Sequence, residues 1–246
     1  MRLLLLDIET APNKVYTWGL FKQNISINQI VEPGYTLCWA AKWYGQREVM
    51  FDSVHDSNPK KMVKGIHKLL DEADVVVHYN GQRFDIPKLN SEFILYGMDP
   101  PSQYRQIDLL KTTRSQFGFT SNKLDYVTQH LEIGAKVKHL GMDLWRDCMA
   151  DCPKAWKTMR KYNIQDVKLL EDYYNRILPW IKNHPNWGVY LDADRPTCSH
   201  CGSVKVKKNG LERSNRQTYQ RYKCTDCGTP LRSVKGIKKS PQGLTT

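Results

Sequence analysis

Apolar residues run unbroken from Leu3 to Leu6 and then give way to Asp7-Ile8-Glu9, the pattern of a strand buried through its middle and ending at a cleft. Residues 35–44 and 47–54 are rich in aromatic and β-branched side chains and flank Gly45-Gln46, so they predict an antiparallel hairpin and, with the first strand, a three-stranded meander. Met62, Ile66, Leu69 and Leu70 have helical spacing within 59–73, and a short β-branched strand follows at 74–78. A helix is expected over 85–96, with Pro87 in its first turn where a missing N–H costs nothing. A strand is expected over 105–110 and helices over 123–131 and 155–178, the last through Met159, Tyr162, Asp166, Leu169, Tyr173 and Ile177. Strands alternating with helices predict a mixed α/β layer structure.

The pattern breaks at 183–196 into His-Pro, Asn-Trp-Gly and Arg-Pro, which reads as a linker. This organisation predicts a larger domain over 1–194, a small unit over 195–234, and a tail over 235–246 too poor in apolar residues to pack and expected to be disordered. No apolar run reaches the ~18 residues of a membrane span, and the N-terminus lacks a secretion signal. A reducing cytoplasm is the expected compartment, with no membrane partner. The formal charge of +12 is unevenly placed: 11 of the 37 Lys and Arg but only 2 of the 25 Asp and Glu lie from Pro196 onward. A basic tail on a nearly neutral body suits a nucleic-acid grip, and also a merely well-solvated tail.

Three groups of residues carry candidate chemistry. Strand alternation puts Asp7 and Glu9 on one face, where two close carboxylates call for a cation; a strand ending at the surface would read the same. Asn80-Gly81-Gln82-Arg83-Phe84-Asp85 follows a buried strand and opens a helix, so Asp85 fits either a metal ligand or a helix cap. Tyr162 and Asp166 stand one helical turn apart on the same side. Tyr104 with Asp108 and Tyr190 with Asp194 share that spacing, but the first pair fits a strand and the second lies in linker composition.

In this order, D-x-E-T at Asp7 to Thr10, N-x-x-x-F-D at Asn80 to Asp85 and Y-x-x-x-D at Tyr162 to Asp166 resemble the three motifs of the DEDD (DnaQ-like) 3′→5′ exonuclease superfamily, over residues 3–177. The resemblance implies a ribonuclease H-like fold, a mixed sheet flanked by helices, and the DEDDy subclass because Tyr162 is present. It also implies that Asp7, Glu9, Asp85 and Asp166 bind two Mg²⁺ or Mn²⁺ ions, in keeping with the oxygen preference of hard cations and two-metal phosphodiester cleavage. Tyr162 would orient the attacking water, Thr10 would lie near the terminal nucleotide, and Asn80 and Phe84 would place the loop and pack it. Asp108 is a secondary candidate acid. Ala11-Pro12-Asn13 departs from the continuation common among proofreading members.

Cys198-x-x-Cys201 and Cys224-x-x-Cys227, 22 residues apart, have the spacing of a zinc ribbon, in which one structural Zn²⁺ supplies folding energy that so small a unit lacks. Lys207, Lys208, Arg216 and Arg221 interleave with Tyr219 and Tyr222, so cations can meet phosphates while rings stack on bases. The segment resembles ribbons of insertion-sequence transposases; docking of a protein is the other reading. Cys38, Cys148 and Cys152 read as ordinary thiols. The expected activity is hydrolysis of terminal phosphodiesters of single-stranded or frayed DNA. The competitors are an exoribonuclease of the same superfamily, since carboxylates acting on phosphate do not report the sugar, and a non-catalytic zinc-ribbon adaptor that binds DNA.

Overall fold

The computed structural model describes residues 1–137, 141–191 and 195–239. Two compact units result, Arg2–Asp172 and, with Met1, Tyr173–Thr246. The division falls inside the last long helix, N-terminal to the boundary expected at 194, a position among residues 192–194 that lie outside the described residues. Its physical basis is local: Tyr174, near the helix end, bonds through its hydroxyl to His184 at 2.6 Å, tying that end to the segment which follows.

The first unit runs β1 (Leu3–Thr10), β2 (Lys14–Val15), β3 (Ile30–Glu32), β4 (Thr36–Trp43), β5 (Met50–Ser53), α1 (Pro59–Asp71), β6 (Val75–His78), α2 (Asp85–Leu95), β7 (Arg105–Asp108), α3 (Leu109–Gln116), α4 (Leu124–His130), α5 (Met142–Met149) and most of α6 (Pro153–Ile177). Five strands form one mixed sheet in the order β5-β4-β1-β6-β7. The meander β1, β4, β5 is antiparallel, as its pattern predicted, whereas β6 and β7 join parallel to β1. The short pair β2 and β3 stands outside this sheet.

Alternation along β1 sorts its side chains. Leu4, Leu6 and Ile8 pack with Met62, Val63, Ile66 and Leu70 of α1 and with Ile86, Leu89 and Phe93 of α2. Asp7 and Glu9 therefore turn to the opposite face, where Leu144 and Cys148 of α5 and Trp156, Met159 and Tyr162 of α6 form a second core cluster with Cys38. The N-terminus of α1 is capped by Asn58, whose side chain accepts from Lys61 N at 2.9 Å, and the Trp39 indole donates to Met62 O at 2.9 Å. These contacts fix α1 against the sheet and so the level at which β1 ends.

Two differences from the sequence pattern stand out. The strand expected over 105–110 stops at Asp108, whose carboxylate turns the chain by accepting from Leu110 N at 3.0 Å and starting α3. Helix α5, which follows Gly141 (φ +63°), was not among the expected elements; it buries Leu144 and Cys148, one helical turn apart.

In the second unit β8 (Val206–Arg213), β9 (Gln217–Cys224), β10 (Pro230–Arg232) and β11 (Lys238–Lys239) form an antiparallel sheet around β9. Gly210 (φ +73°) sits in a bulge of β8, a conformation that glycine adopts without a Cβ clash. The tail expected to be disordered from 235 instead adds β11 to the edge of β9, because ladder hydrogen bonds need no apolar side chain; residues 240–246 lie outside the described residues. The linker composition at 183–196 includes a 3₁₀ turn, Trp187–Tyr190.

Candidate active site

Asp7, Glu9 and Asp166 each offer a carboxylate oxygen, and all three lie within 4.8 Å of one another. β1 presents the first two on one face, and α6, packed on that face, supplies the third. Asp85 comes from the other layer and is not part of this cluster of three. It is the first residue of α2, and its Oδ1 accepts from Ile8 N at 3.1 Å, between Asp7 and Glu9 in the chain. Its carboxylate is thus pinned to the backbone of β1 at the level of the other acids, so the helix-cap alternative gives way to a bond across the sheet.

The loop that delivers Asp85 is held from two sides. Asn80 has φ +69°, a left-handed conformation that asparagine tolerates better than most residues, and its N–H donates to Asp108 Oδ1 at 2.9 Å. Asp108 therefore clamps this loop and caps α3; it lies outside the cluster of three, and its charge raises the proton affinity of Asp85. Gly81 is required by closeness: a Cβ there would lie 2.5 Å from Cγ of the buried His78 ring. Phe84, expected to pack, is instead exposed.

Four residues without a motif of their own complete the surroundings. Asn163 Nδ2 donates to Asp7 Oδ2 at 2.6 Å, and Cys38 Sγ donates to Asn163 Oδ1 at 3.7 Å. The Trp145 side chain hydrogen-bonds Glu9 and meets the Tyr162 ring edge-on at 6.1 Å between centroids. Lys136 Nζ bonds Asp166 Oδ2 and donates to the Tyr162 hydroxyl at 3.2 Å. Asn163 was legible in principle, because it stands three residues before Asp166 on α6 and so shares its face. Lys136 and Trp145, on a loop and a short helix, had no spacing to reveal them.

Loss of water and mutual repulsion raise the proton affinity of every acid in the group. Asp7 is pushed well above the usual carboxylate range by burial, then by Glu9, Asp85 and Asp166. Burial, and next Asp166, take Glu9 to about 8, while burial takes Asp85 to about 7 against the N–H groups of Ile8 and its own backbone. Asp166 is also raised by burial, with Lys136 and Tyr162 opposing. Lys136 stays protonated because Asp166 and Asp7 outweigh its burial. One ammonium cannot neutralise four acids, and Asp166 Oδ1 is buried with no hydrogen-bond partner among the described residues. A crowded set of hard oxygen donors, with a buried carboxylate oxygen left without a donor, fits a divalent cation.

A cleft of ≈ 580 Å³ opens beside Asp7, lined by Tyr79, Asn80, Arg114, Lys123 and Lys136 among others. Thr10 ends β1 next to Glu9, after a register shift between the two.

In the second unit Cys198, Cys201, Cys224 and Cys227 bring their sulfurs within 4.8 Å of one another. The Cys198–Cys227 and Cys201–Cys224 pairs are each 3.6 Å apart, far from bonding distance for a disulfide. That spacing matches the edge of a tetrahedron with Zn–S bonds of ~2.3 Å, which is about 3.8 Å. Burial raises the Cys198 thiol to about 11 and Cys201 further, so a cation is needed to keep them as thiolates, while backbone N–H groups of Cys227 and Asp226 lower Cys224 despite its burial. The group is compatible with a zinc ribbon. Register places Lys207 opposite Lys223 and Arg221 opposite Arg232 on one face of this sheet, and Lys208 opposite Tyr222 on the other. Arg216 lies in the β8–β9 turn. The predicted nucleic-acid residues of the ribbon are thus divided between two faces and a turn.

The chain belongs to the RNase_H superfamily, which it matches over residues 4–178. Its fold is similar to that of a family B DNA polymerase from the hyperthermophilic archaeon Pyrobaculum calidifontis, with a TM-score of 0.55 and 19% identity. That match covers 72% of this chain and 24% of the polymerase chain, so the chain spans about a quarter of the length of that protein. No curated protein matches the sequence significantly. The ribonuclease H-like fold, a mixed five-stranded sheet flanked by helices, is therefore as the motifs implied. Among the described residues no helix is long and apolar enough to cross a membrane.

Proposed function

We propose that the chain is a DEDDy-type 3′→5′ exonuclease that removes 5′-mononucleotides from single-stranded or frayed DNA, with a C-terminal zinc ribbon that grips nucleic acid. The observation that carries this reading is the convergence of Asp7, Glu9 and Asp166 within 4.8 Å, with Asp85 tied to Ile8 beside them. Asp7, Glu9, Asp85 and Asp166 would hold two Mg²⁺ or Mn²⁺ ions. When bound, such ions supply an activated water and neutralise the leaving 3′ oxygen.

The chain's own residues do the rest. Asn163 occupies Asp7 Oδ2, and Trp145 holds Glu9, so each carboxylate is restricted in its rotation before a cation arrives. Burial and then Asp166 push the Tyr162 phenol upward in pKa, so it keeps its proton across the working range and can orient a water by hydrogen bonding. Lys136 adds a fixed positive charge beside Asp166, where a phosphate oxygen could be met. Thr10, the last residue of β1, and Asn80, in the loop after β6, would touch the terminal nucleotide, and DNA is taken as the substrate because a solved protein of similar fold is a DNA polymerase.

In the ribbon, Cys198, Cys201, Cys224 and Cys227 would hold one Zn²⁺. Lys207 and Lys223 stand directly opposite one another, a like-charge pair that a polyanion would relieve, with Arg221 on the same face; Arg232, opposite Arg221, is already paired with Glu212. Lys208, Arg216 and Tyr222 would extend that contact around the hairpin.

The test uses single-stranded DNA labelled at its 5′ end. With Mn²⁺ the wild type should give a ladder shortening from the 3′ end, and Asp7→Asn or Asp85→Asn should abolish it while the fold and DNA binding persist. A ladder undiminished in both variants would remove the assignment; a ladder from RNA alone would move it to an exoribonuclease.

A further inference from the structure

Between β1 and β4 the chain makes an excursion that neither the acidic cluster nor the core uses. Its neck is closed by Ala11 N donating to Tyr35 O at 2.8 Å and Gly34 N to Asn13 Oδ1 at 2.6 Å. Beyond the neck β2 pairs with β3, Lys14 meets Glu32 at 2.7 Å, and Tyr16 N donates to Gln29 O at 2.9 Å. A reciprocal cap between Ser26 and Gln29, with Gln29 Nε2 donating to Tyr16 O at 2.8 Å, finishes the frame.

This frame is ordered by polar bonds, yet it displays apolar side chains outward. Trp18 is 100% exposed, Leu20 90%, Phe21 and Ile27 84% and Tyr16 76%. Nothing in the fold needs them there, and a cluster of this kind marks a binding surface. Two features select the partner. Between Ala11 and Tyr35 the arm has one carboxylate, Glu32, which is paired with Lys14, and Lys22 leaves it with a net positive charge, so it accepts a polyanion. Three rings fall within the six residues Tyr16 to Phe21, and aromatic rings stack on any unpaired base. The position agrees with this partner, because the neck begins at Ala11, two residues after Glu9, at the end of β1 that carries the acids.

We propose that the arm is a stacking platform on which Trp18, Phe21 and Tyr16 receive unpaired bases of a single-stranded DNA whose 3′ end enters the acidic cluster. The inference rests on the exonuclease reading for the choice of DNA, but its binding test is independent of cleavage. Duplex DNA offers no free base faces along its length, so the arm also makes the protein select single strands.

The experiment measures fluorescence anisotropy of a labelled oligo(dT) and of a duplex, in buffer without added divalent ions, for the full chain and for the double variant Trp18→Ala/Phe21→Ala. The expected result is a loss of single-strand affinity of about tenfold or more, and loss of the preference over duplex. The slope of log affinity against log salt should stay the same, since the rings carry no charge. Trp18→Phe should retain most of the affinity. Unchanged single-strand affinity in a variant with the wild-type melting temperature overturns the proposal, as does a wild-type dimer in sedimentation that the variant dissolves, which would assign the arm to a second copy of the chain. Hydrolysis of the p-nitrophenyl ester of thymidine 5′-phosphate by the wild type with Mn²⁺ reports the catalytic reading separately, because a one-base substrate tests the acids without a strand to stack.

Discussion

A carboxylate surrounded by other carboxylates and short of water holds its proton, and this has a measurable consequence for Glu9 and Asp85. Both ionise at the ordinary carboxylate values of 4.5 and 3.8 when unfolded, but at about 8 and about 7 in the fold, with burial as the main cause in each. A raised folded pKa stabilises the fold fully below the unfolded value, and that stabilisation is lost as pH climbs through the folded value. Protein without divalent ions should therefore melt at progressively lower temperature from pH 5 to pH 8.5, by about 5 °C or more. A divalent cation binds the ionised acids, so the rise in melting temperature produced by Mn²⁺ should be small at pH 5.5 and large at pH 8.5. Thermal melts across this range, with and without Mn²⁺, check both signs. A melting temperature independent of pH in the ion-free protein would contradict the crowding of the four acids.

At the level of elements, the site depends on how faithfully β6 hands the chain to α2. His78 is wholly buried at the end of β6, with Nε2 donating to Gln106 Oε1 at 3.0 Å, and Gly81 passes directly over its ring. The Gly81→Ala substitution places a methyl 2.5 Å from Cγ of that ring, between two parts that cannot flex like a side-chain tip. The loop must rise, and the bond from Ile8 N to Asp85 must lengthen with it. We expect a stability loss of about 1–3 kcal/mol in chemical denaturation, together with a fall in Mn²⁺ affinity. Destabilisation with wild-type Mn²⁺ affinity would show that Asp85 does not depend on this loop.

The same elements explain what the amino-acid sequence disclosed. β1, β4, β6, α1, α2 and α6 bury a continuous run or a full stripe, so periodicity marked them, and Asp7, Glu9, Asp85, Tyr162 and Asp166 could be placed on them by alternation and helical spacing. α3 and α5 are only eight residues long and bury three and two residues respectively, so each offers little more than two turns by which to recognise it. Trp145, on α5, and Lys136, on the loop before it, approach Glu9 and Asp166 through tertiary folding alone. The division of the ribbon's cations between two faces needed the pairing register and the bulge near Gly210, neither of which composition encodes.

At the scale of the whole molecule the two units differ in what holds them together. Arg2–Asp172 has a sheet with helices and core clusters on both faces, whereas among the described residues from 195 onward only Cys198, Cys224 and Thr229 are buried, and of these only Cys224 lies in a strand. A sheet so poor in core draws its stability from the cysteine centre, where a bound Zn²⁺ contributes an apparent ~10–16 kcal/mol in comparable small modules. Most of the net positive charge also lies here, +9 of the formal +12 being carried from Pro196 onward. Cys224→Ser should therefore remove one zinc per chain in metal analysis and unfold the hairpin that aligns Lys207, Arg221 and Lys223. Its affinity for DNA should weaken, with a salt dependence shallower by about 2–3 counterions for those three lost phosphate contacts. Mn²⁺-dependent hydrolysis of a one-base ester should survive, because all four acids belong to Arg2–Asp172. If the variant binds DNA with the wild-type salt dependence, the positive face of the ribbon is not the grip, and its exposed cations serve a different partner.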